Sequence, residues 1–167
     1  YLMAPKERKS KEAYLQDNTS PRQSSILILL YPDNNGDVKT IFIQRPINAS
    51  VHSGQIAFPG GKLEESDVDL GAAALRETHE EIGVLPNSVE LLGPLSSLYV
   101  PASNFLINPF VGMVDFTPKF DPAPDEVKAL LPISLNEILN FKVDHMFFKT
   151  AYGNLNAPYY KFQEHNI

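Results

Sequence analysis

One segment of this chain places three carboxylates on a single helix directly after a pair of glycines. Residues 60–84 read GGKLEESDVDLGAAALRETHEEIGV. A helix rotates by about 100° per residue, so Glu77, Glu80 and Glu81 fall within roughly a quarter of its circumference. Carboxylates at this spacing repel one another by roughly 0.2–0.5 kcal/mol per pair. The segment therefore predicts a bound cation, and oxygen ligands favour a hard divalent ion such as Mg²⁺ or Mn²⁺.

The surroundings of these acids favour a cleft edge over the ordinary alternative, an acidic helix face in contact with solvent. Arg76 precedes Glu80 by four residues, where it can hold that side chain and leave Glu77 and Glu81 freer. Gly83 stands where a left-handed C-terminal cap is expected. The predicted core stripe lies beside the acids and not opposite them: Ala74, Leu75, Thr78 and Ile82.

The segment resembles the Nudix box. That pattern reads Gly, five residues, Glu, seven residues, Arg-Glu, an aliphatic residue, any residue, Glu-Glu, any residue, Gly and an aliphatic residue. The matching positions are Gly61, Arg76, Glu77, Glu80, Glu81, Gly83 and Val84. Asp67 stands in place of the first Glu, Thr78 replaces an aliphatic residue, and the loop before Arg76 is one residue longer. The resemblance implies an α/β fold, the Nudix-type α/β/α sandwich with a mixed β-sheet.

The longer loop is similar to that of one subfamily, the coenzyme A diphosphatases (CoA pyrophosphatases). Their second signature lies upstream, and this chain carries Arg45 and the run HSGQIAFPGG from His52 to Gly61, with Ser50 where an Arg is usual. The resemblance implies metal-dependent cleavage of coenzyme A or acyl-CoA to adenosine 3′,5′-bisphosphate and 4′-phosphopantetheine. Two alternatives stay open: a Nudix hydrolase of ADP-ribose, a dinucleotide or a nucleoside triphosphate, and a non-catalytic Nudix-like module that binds a nucleotide as a sensor.

The resemblance also implies roles for single residues. The implied metal ligands are Glu77, Glu80, Glu81 and the carbonyl of Gly61. The implied substrate contacts are Arg45, His52, Gly60 and Lys62. The implied catalytic residues are Arg76, Glu80 and Glu126. The general base is left open between Glu80 and Glu126, and the other interpretation of Glu126 is an acid at a helix start.

Aromatic side chains offer a surface for the adenine of such a substrate. Tyr99, Phe105 and Phe110 are the candidates, although aromatic residues in strands are more often part of a core.

The chain is expected to form one domain, residues 24–167, after a polar arm at 1–23. The predicted strands are Ser24–Tyr31, Val38–Arg45, Gln55–Phe58, Val89–Tyr99, Leu106–Phe116, His145–Thr150 and Pro158–Phe162. The predicted helices are Leu70–Ile82, capped by Asp69 or a neighbouring residue, and Leu131–Leu139, with turns at 32–37, Gly60-Gly61 and Gly153-Asn154. Coenzyme A diphosphatases continue past such a Tyr-rich strand, so we expect a truncated or disordered C-terminal end.

Charge and composition narrow the class of partner. The formal net charge is −6 over 167 residues, which argues against nucleic-acid or anionic-membrane binding. An anionic nucleotide diphosphate would therefore need a metal and local cations. The chain has no cysteine, no apolar run of membrane-spanning length and no secretory signal, so a cytoplasmic location is expected. The oligomeric state is left open, with a homodimer as one option.

Overall fold

The computed structural model describes residues 20–46, 54–100, 103–150, 153–162 and 164–167. The strands are β1 (Arg22–Pro32), β2 (Val38–Gln44), β3 (Ile56–Ala57), β4 (Gly60–Lys62), β5 (Glu90–Pro94), β6 (Leu98–Val100), β7 (Phe105–Met113), β8 (Ala129–Ser134), β9 (Val143–Thr150), β10 (Gly153–Phe162) and β11 (His165–Asn166). The helices are α1 (Leu70–Ile82), a 3₁₀ turn (Pro86–Ser88) and α2 (Leu135–Leu139). None of the helices in these ranges is long and apolar enough to cross a membrane.

The long strand β1 organises a mixed sheet of eight strands. Its residues 22–30 pair in parallel with β7, while its other edge pairs antiparallel first with β4 and then, at Tyr31 and Pro32, with β2. Strands β3 and β8 flank β2, and β5 and β6 add to β7. Strands β9, β10 and β11 form a separate antiparallel sheet. The predicted mixed sheet is confirmed.

The side chains of β2 point alternately into two hydrophobic cores. Ile41 and Ile43 belong to the core that includes α1, whereas Phe42 belongs to a second core that includes Ile138 of α2. Neighbouring residues of a strand point to opposite faces, so α1 and α2 cover opposite faces of this part of the sheet. The α/β/α layering follows from that alternation.

Helix α1 begins and ends as predicted. Oδ1 of Asp69 accepts a 2.8 Å hydrogen bond from the amide of Ala72. Gly83 adopts a left-handed conformation with φ of +78°, and its amide donates to the carbonyl of His79. Ala74 and Ile82 pack in the first core, and Thr78 is buried beside them.

Other predicted boundaries differ from the structure. The predicted strand Val89–Tyr99 is divided into β5 and β6, with residues 95–97 between them, and its pairing with β7 also shifts register within β5 between Leu91 and Gly93. Half of the predicted helix Leu131–Leu139 is strand β8, and the helix begins only after Ser134. There the hydroxyl of Ser134 accepts from the amide of Glu137, while the Glu137 carboxylate accepts from the amide of Ser134.

Two predictions near the ends of the chain also differ from the structure. Strand β1 begins at Arg22, inside the segment predicted as an arm, while residues 1–19 lie outside the described ranges. The turn predicted at Gly153-Asn154 is wrong, because both residues belong to β10 and Gly153 pairs with Thr150.

Candidate active site

The two glycines of β4 allow a very close approach between this strand and its neighbours. A Cβ on Gly60, whose φ is +152°, would overlap the carbonyl oxygen of Ser25 in β1, and a Cβ on Gly61 would overlap the carboxylate of Glu77. The predicted close approach is therefore confirmed. The predicted tight turn is wrong, because Gly60–Lys62 is a short extended strand paired with β1.

Glu81 is a buried carboxylate held by the backbone of β4. Only 1% of its side chain is exposed, and its Oε2 accepts a 2.8 Å hydrogen bond from the amide of Gly60. Its Oε1 lies 3.2 Å from Nη2 of Arg45 but accepts no hydrogen bond from the described residues. Burial raises the pKa of Glu81 to about 7; Arg45 and the Gly60 amide oppose the rise, and the charges of Glu77 and Glu126 add to it.

Arg45, which follows β2 directly, contacts both Gly60 and Glu81. Its Nη2 donates a 3.0 Å hydrogen bond to the carbonyl of Gly60 while it faces Glu81. Gly60 therefore uses both its amide and its carbonyl within the protein, where its backbone positions Glu81 and Arg45. Gly60 also lines the cavity described below, and its role as a substrate contact stays a prediction. The side chain of Arg45 also lines the cavity described below, as expected of a substrate contact.

Arg76 connects the loop after β4 to the acids of α1. Its Nε and Nη2 donate to the two carboxylate oxygens of Asp67 at 2.9 and 3.0 Å. Its Nη1 donates to Glu80 at 2.8 Å and to Glu77 at 3.1 Å, and Nη2 also donates to the carbonyl of Lys62. The prediction that Arg76 holds Glu80 is confirmed, but the expectation that it leaves Glu77 freer is not met, because Arg76 donates to Glu77 as well.

The connector after β7 brings Glu126 opposite these acids. The amides of Asp121 and Ala123 donate to the carbonyls of Ile82 and Glu81, which satisfies acceptors that the last turn of α1 leaves unpaired. Glu126 follows in a turn before β8, and no helix begins there, so the alternative interpretation as a helix-start acid is wrong. The charge of Glu126 contributes to the raised pKa values of Glu77 and Glu81, although burial is the largest cause for both.

A cavity of about 680 Å³ brings most of these groups together. Its acidic wall consists of Glu64, Glu77, Glu81, Asp125 and Glu126. In the described part of the chain two cations line it, Arg45 and Lys62. Glu80 does not line it; half of the Glu80 side chain is exposed and the carboxylate is bound to Arg76. His52 and Ser50 lie outside the described residues.

The sequence comparison decides the family. The NUDIX domain model matches residues 21–148 of this chain. The chain belongs to the Nudix hydrolase family. It is 34% identical over 125 residues to Nudix hydrolase 15, mitochondrial, of Arabidopsis thaliana, covering 74% of this chain and 44% of that protein. It is 30% identical over 149 residues to the uncharacterized Nudix hydrolase NudL of Salmonella newport (strain SL254), covering 89% of this chain and 76% of that protein.

Solved structures agree with the fold. The Nudix hydrolase RenU of M. smegmatis has a TM-score of 0.59 at 15% identity, over 72% of this chain and 74% of that one. The NUDIX domain of Shewanella oneidensis NrtR, complexed with ADP ribose, has a TM-score of 0.55 at 17% identity, over 78% of this chain and 87% of that one. These likenesses establish an α/β Nudix fold. The chain spans less than half the length of its plant relatives, 44% of Nudix hydrolase 15 and 37% of Nudix hydrolase 22, chloroplastic.

The donor set fits a divalent cation of the kind that Nudix hydrolases use. Within the described ranges no group of three or more His, Cys, Asp or Glu side chains is arranged to hold a metal by itself. However, Glu77 and Glu81 line the same cavity, Oε1 of Glu81 lacks a hydrogen bond, and Gly61 lies against the Glu77 carboxylate. Mg²⁺ commonly binds through one or two carboxylates, several waters and substrate phosphates. Glu77, Glu81 and the Gly61 carbonyl would hold such an ion.

Two features of the Nudix site were missed from the sequence. The bidentate pairing of Asp67 with Arg76 had a visible signal, because Asp67 occupies the position of the first Glu of the box. Apolar residues of the β1–β7 surface also line the cavity beside the stacking candidate Phe105, including Ile26 and Ile107. No local pattern marks them, because they depend on the parallel pairing of strands far apart in sequence.

Proposed function

We propose that this Nudix domain hydrolyses a diphosphate linkage in a nucleotide derivative with Mg²⁺ or Mn²⁺. The observation that supports this most is the position of Glu77, Glu81 and Glu126 on one cavity, with Gly61 against Glu77. Five carboxylates and two cations line the described part of this cavity. An anionic diphosphate would be repelled from such a wall unless a cation came with it, so the charge balance favours a metal-dependent reaction.

Some residues of the site position the carboxylates, and another accepts the proton from water. When bound, the divalent ion supplies positive charge to the phosphate oxygens and to the leaving phosphate. The Gly60 amide holds Glu81, and Arg76 holds Glu77, so the carboxylates are arranged before substrate arrives. Arrangement of this kind is the main requirement of phosphoryl transfer.

Glu126 is the proposed general base. It is exposed and lines the cavity, whereas Glu80 is bound to Arg76 and lies outside the cavity lining. In the proposed step, Glu126 accepts a proton from water as the water oxygen bonds to phosphorus. The bridging P–O bond then breaks, and its electron pair leaves with the departing phosphate group.

The proposed substrate is coenzyme A or an acyl-CoA. The signature from Arg45 to Gly61 supports this choice, and Arg45 lines the cavity beside Gly60. ADP-ribose is the second candidate, since the NrtR domain of the same fold was solved with that ligand. A non-catalytic sensor is disfavoured, because such a module has no need for two buried or half-buried carboxylates around a glycine cradle.

A substrate panel tests the proposal. Purified protein with Mg²⁺ or Mn²⁺ is incubated with coenzyme A, dephospho-coenzyme A, ADP-ribose and a diadenosine polyphosphate, and the products are identified by mass spectrometry. We expect 4′-phosphopantetheine and adenosine 3′,5′-bisphosphate from coenzyme A, and no turnover after chelation of the metal. Faster turnover of ADP-ribose would contradict the choice of substrate. Tight nucleotide binding without turnover of any compound would favour the sensor.

A further inference from the structure

The cavity has an apolar wall on the face of the sheet opposite α1. Leu27 and Leu29 of β1 pack in the core with α1, so the alternate residues Ser24 and Ile26 point to the other face and line the cavity. In the parallel pairing of β1 with β7, Ser24 is opposite Ile107 and Arg22 is opposite Phe105. We define the apolar wall as Ile26, Val100, Phe105 and Ile107.

This wall leads away from the carboxylates along β1. Ile26 pairs with Gly60, the residue that holds Glu81. Arg22, the partner of Phe105, lies four residues earlier, and a strand advances by about 3.3 Å per residue, so the two levels are about 13 Å apart. An extended nucleoside phosphate has comparable length. A substrate with its diphosphate at the acidic end would therefore bring its base to the level of Phe105.

Among the three aromatic residues that the sequence offered for stacking, Phe105 alone lines the cavity. Phe110 packs against the first core, and the hydroxyl of Tyr99 donates to the side chain of Asn104. Phe105 is also held in place, because the guanidinium carbon of Arg22 lies 4.2 Å from its ring centroid. Nη2 of Arg22 donates a 2.8 Å hydrogen bond to the carbonyl of Ser103, which fixes that cation over the ring.

We propose that Phe105 is the platform on which the purine ring of the substrate stacks, with Arg22 holding the ring of Phe105. The inference rests on the proposed function for the position of the diphosphate. Stacking requires a flat π surface and no base-specific hydrogen bond, and the apolar wall supplies such a surface beside aliphatic side chains. Phe105 thereby selects for a nucleotide half in the substrate, while the acidic end acts on the diphosphate.

A fluorescence titration tests this directly, because the chain has no tryptophan. Phe105→Trp introduces a single reporter at the platform, and Phe116→Trp introduces one at an exposed aromatic position that does not line the cavity. Adenosine 5′-monophosphate is compared with ribose 5-phosphate, which lacks only the base. We expect the nucleotide to quench Phe105→Trp saturably, ribose 5-phosphate to leave it unchanged, and Phe116→Trp to respond to neither. No quenching by the nucleotide, or quenching by pantetheine instead, would overturn the proposal.

Calorimetry with smaller substitutions provides a second test. Phe105→Leu should weaken binding of adenosine 5′-monophosphate about tenfold, the lower part of the range for loss of one base stack, and leave ribose 5-phosphate binding unchanged. Phe116→Leu serves as the control. Arg22→Gln should weaken nucleotide binding about threefold, with Arg22→Lys restoring part of it. Equal weakening of both ligands by Phe105→Leu would contradict stacking.

Neither ligand contains a diphosphate, so these readouts are separate from turnover. Nucleotide-dependent quenching in a protein that hydrolyses nothing would support the platform and remove the proposed function. Hydrolysis without quenching would do the reverse.

Discussion

The amide of Gly60 in β4 donates a 2.8 Å hydrogen bond to Oε2 of Glu81 in α1, so two residues 21 positions apart in the chain share one buried contact. Ionising the Glu81 carboxylate costs free energy at this position, because burial raises its pKa to about 7. Its second oxygen accepts no hydrogen bond within the described residues. That oxygen faces Nη2 of Arg45 at 3.2 Å, so the buried carboxylate is paired with one cation and keeps an oxygen without a hydrogen bond, which fits a metal ligand.

Separate substitutions of Gly60 and Gly61 should distinguish a loss of stability from a loss of metal affinity and turnover. Gly60→Ala would force its Cβ against the backbone of β1, so we expect a loss of about 1–3 kcal/mol in the free energy of unfolding. Gly61→Ala would instead displace the Glu77 carboxylate, so Mn²⁺ affinity and turnover should fall about 10–100-fold with a smaller loss of stability. Chemical denaturation and a Mn²⁺ titration measure both. A fully active, stable Gly61→Ala protein would show that the close approach has no role in the site.

Asp67→Asn should remove a pH-dependent contribution to stability. The side chain of Asp67 is 4% exposed, and its hydrogen bonds from Arg76 hold its pKa below the usual value. A lowered folded-state pKa means that the pair stabilises the fold above about pH 4, the pKa of an unfolded Asp, and that this stabilisation is lost as pH falls further. We expect Asp67→Asn to cost about 1–3 kcal/mol at pH 7 and progressively less below about pH 4.

The matched control for that experiment is Asp115→Asn, a substitution at an exposed acid after β7. Asp115→Asn should leave the denaturation curves nearly unchanged, both at pH 7 and below about pH 4. An Asp67→Asn deficit that stays constant down to about pH 2 would contradict an ion pair as the source of stability.

Glu126→Gln and Glu80→Gln should separate the two candidates for the general base. Glu126 lines the cavity, so its substitution should lower kcat by at least about 100-fold. Glu80 is half exposed and bound to Arg76, so its substitution should leave kcat within about tenfold of the wild-type value. The reverse order of effects would return the role of base to Glu80.

The helix and its caps could be predicted because their signals are local. Asp69, the apolar stripe and Gly83 lie within one segment, and each structural role follows from spacing along a single helix. The box resemblance likewise located Glu77 and Glu81. Strand β8 could not be separated from α2 by apolar content, although Ser134 and Glu137 do carry a capping signal in the sequence.

The parts that were missed depend on contacts between distant segments. Burial of Glu81 follows from its contacts with Gly60 in β4 and with Arg45, which comes directly after β2. The position of Phe105 on the cavity follows from the parallel register with Arg22. A single sequence contains no signal for which strands pair in parallel, so the apolar wall was not predictable from it, and Phe105 could be named only as one of three candidates for stacking.

Turnover of coenzyme A by Glu81→Gln at saturating Mg²⁺ tests the central claim most directly, with Glu65→Gln, an exposed acid outside the cavity lining, as the matched control. The structure predicts a fall in kcat of at least about 100-fold. It also predicts a metal-free Tm that is level or higher, because the substitution removes a buried charge without removing the side chain. Turnover close to wild type at saturating Mg²⁺, with Glu65→Gln behaving identically, would contradict the assignment of this cavity as a metal-dependent diphosphatase site.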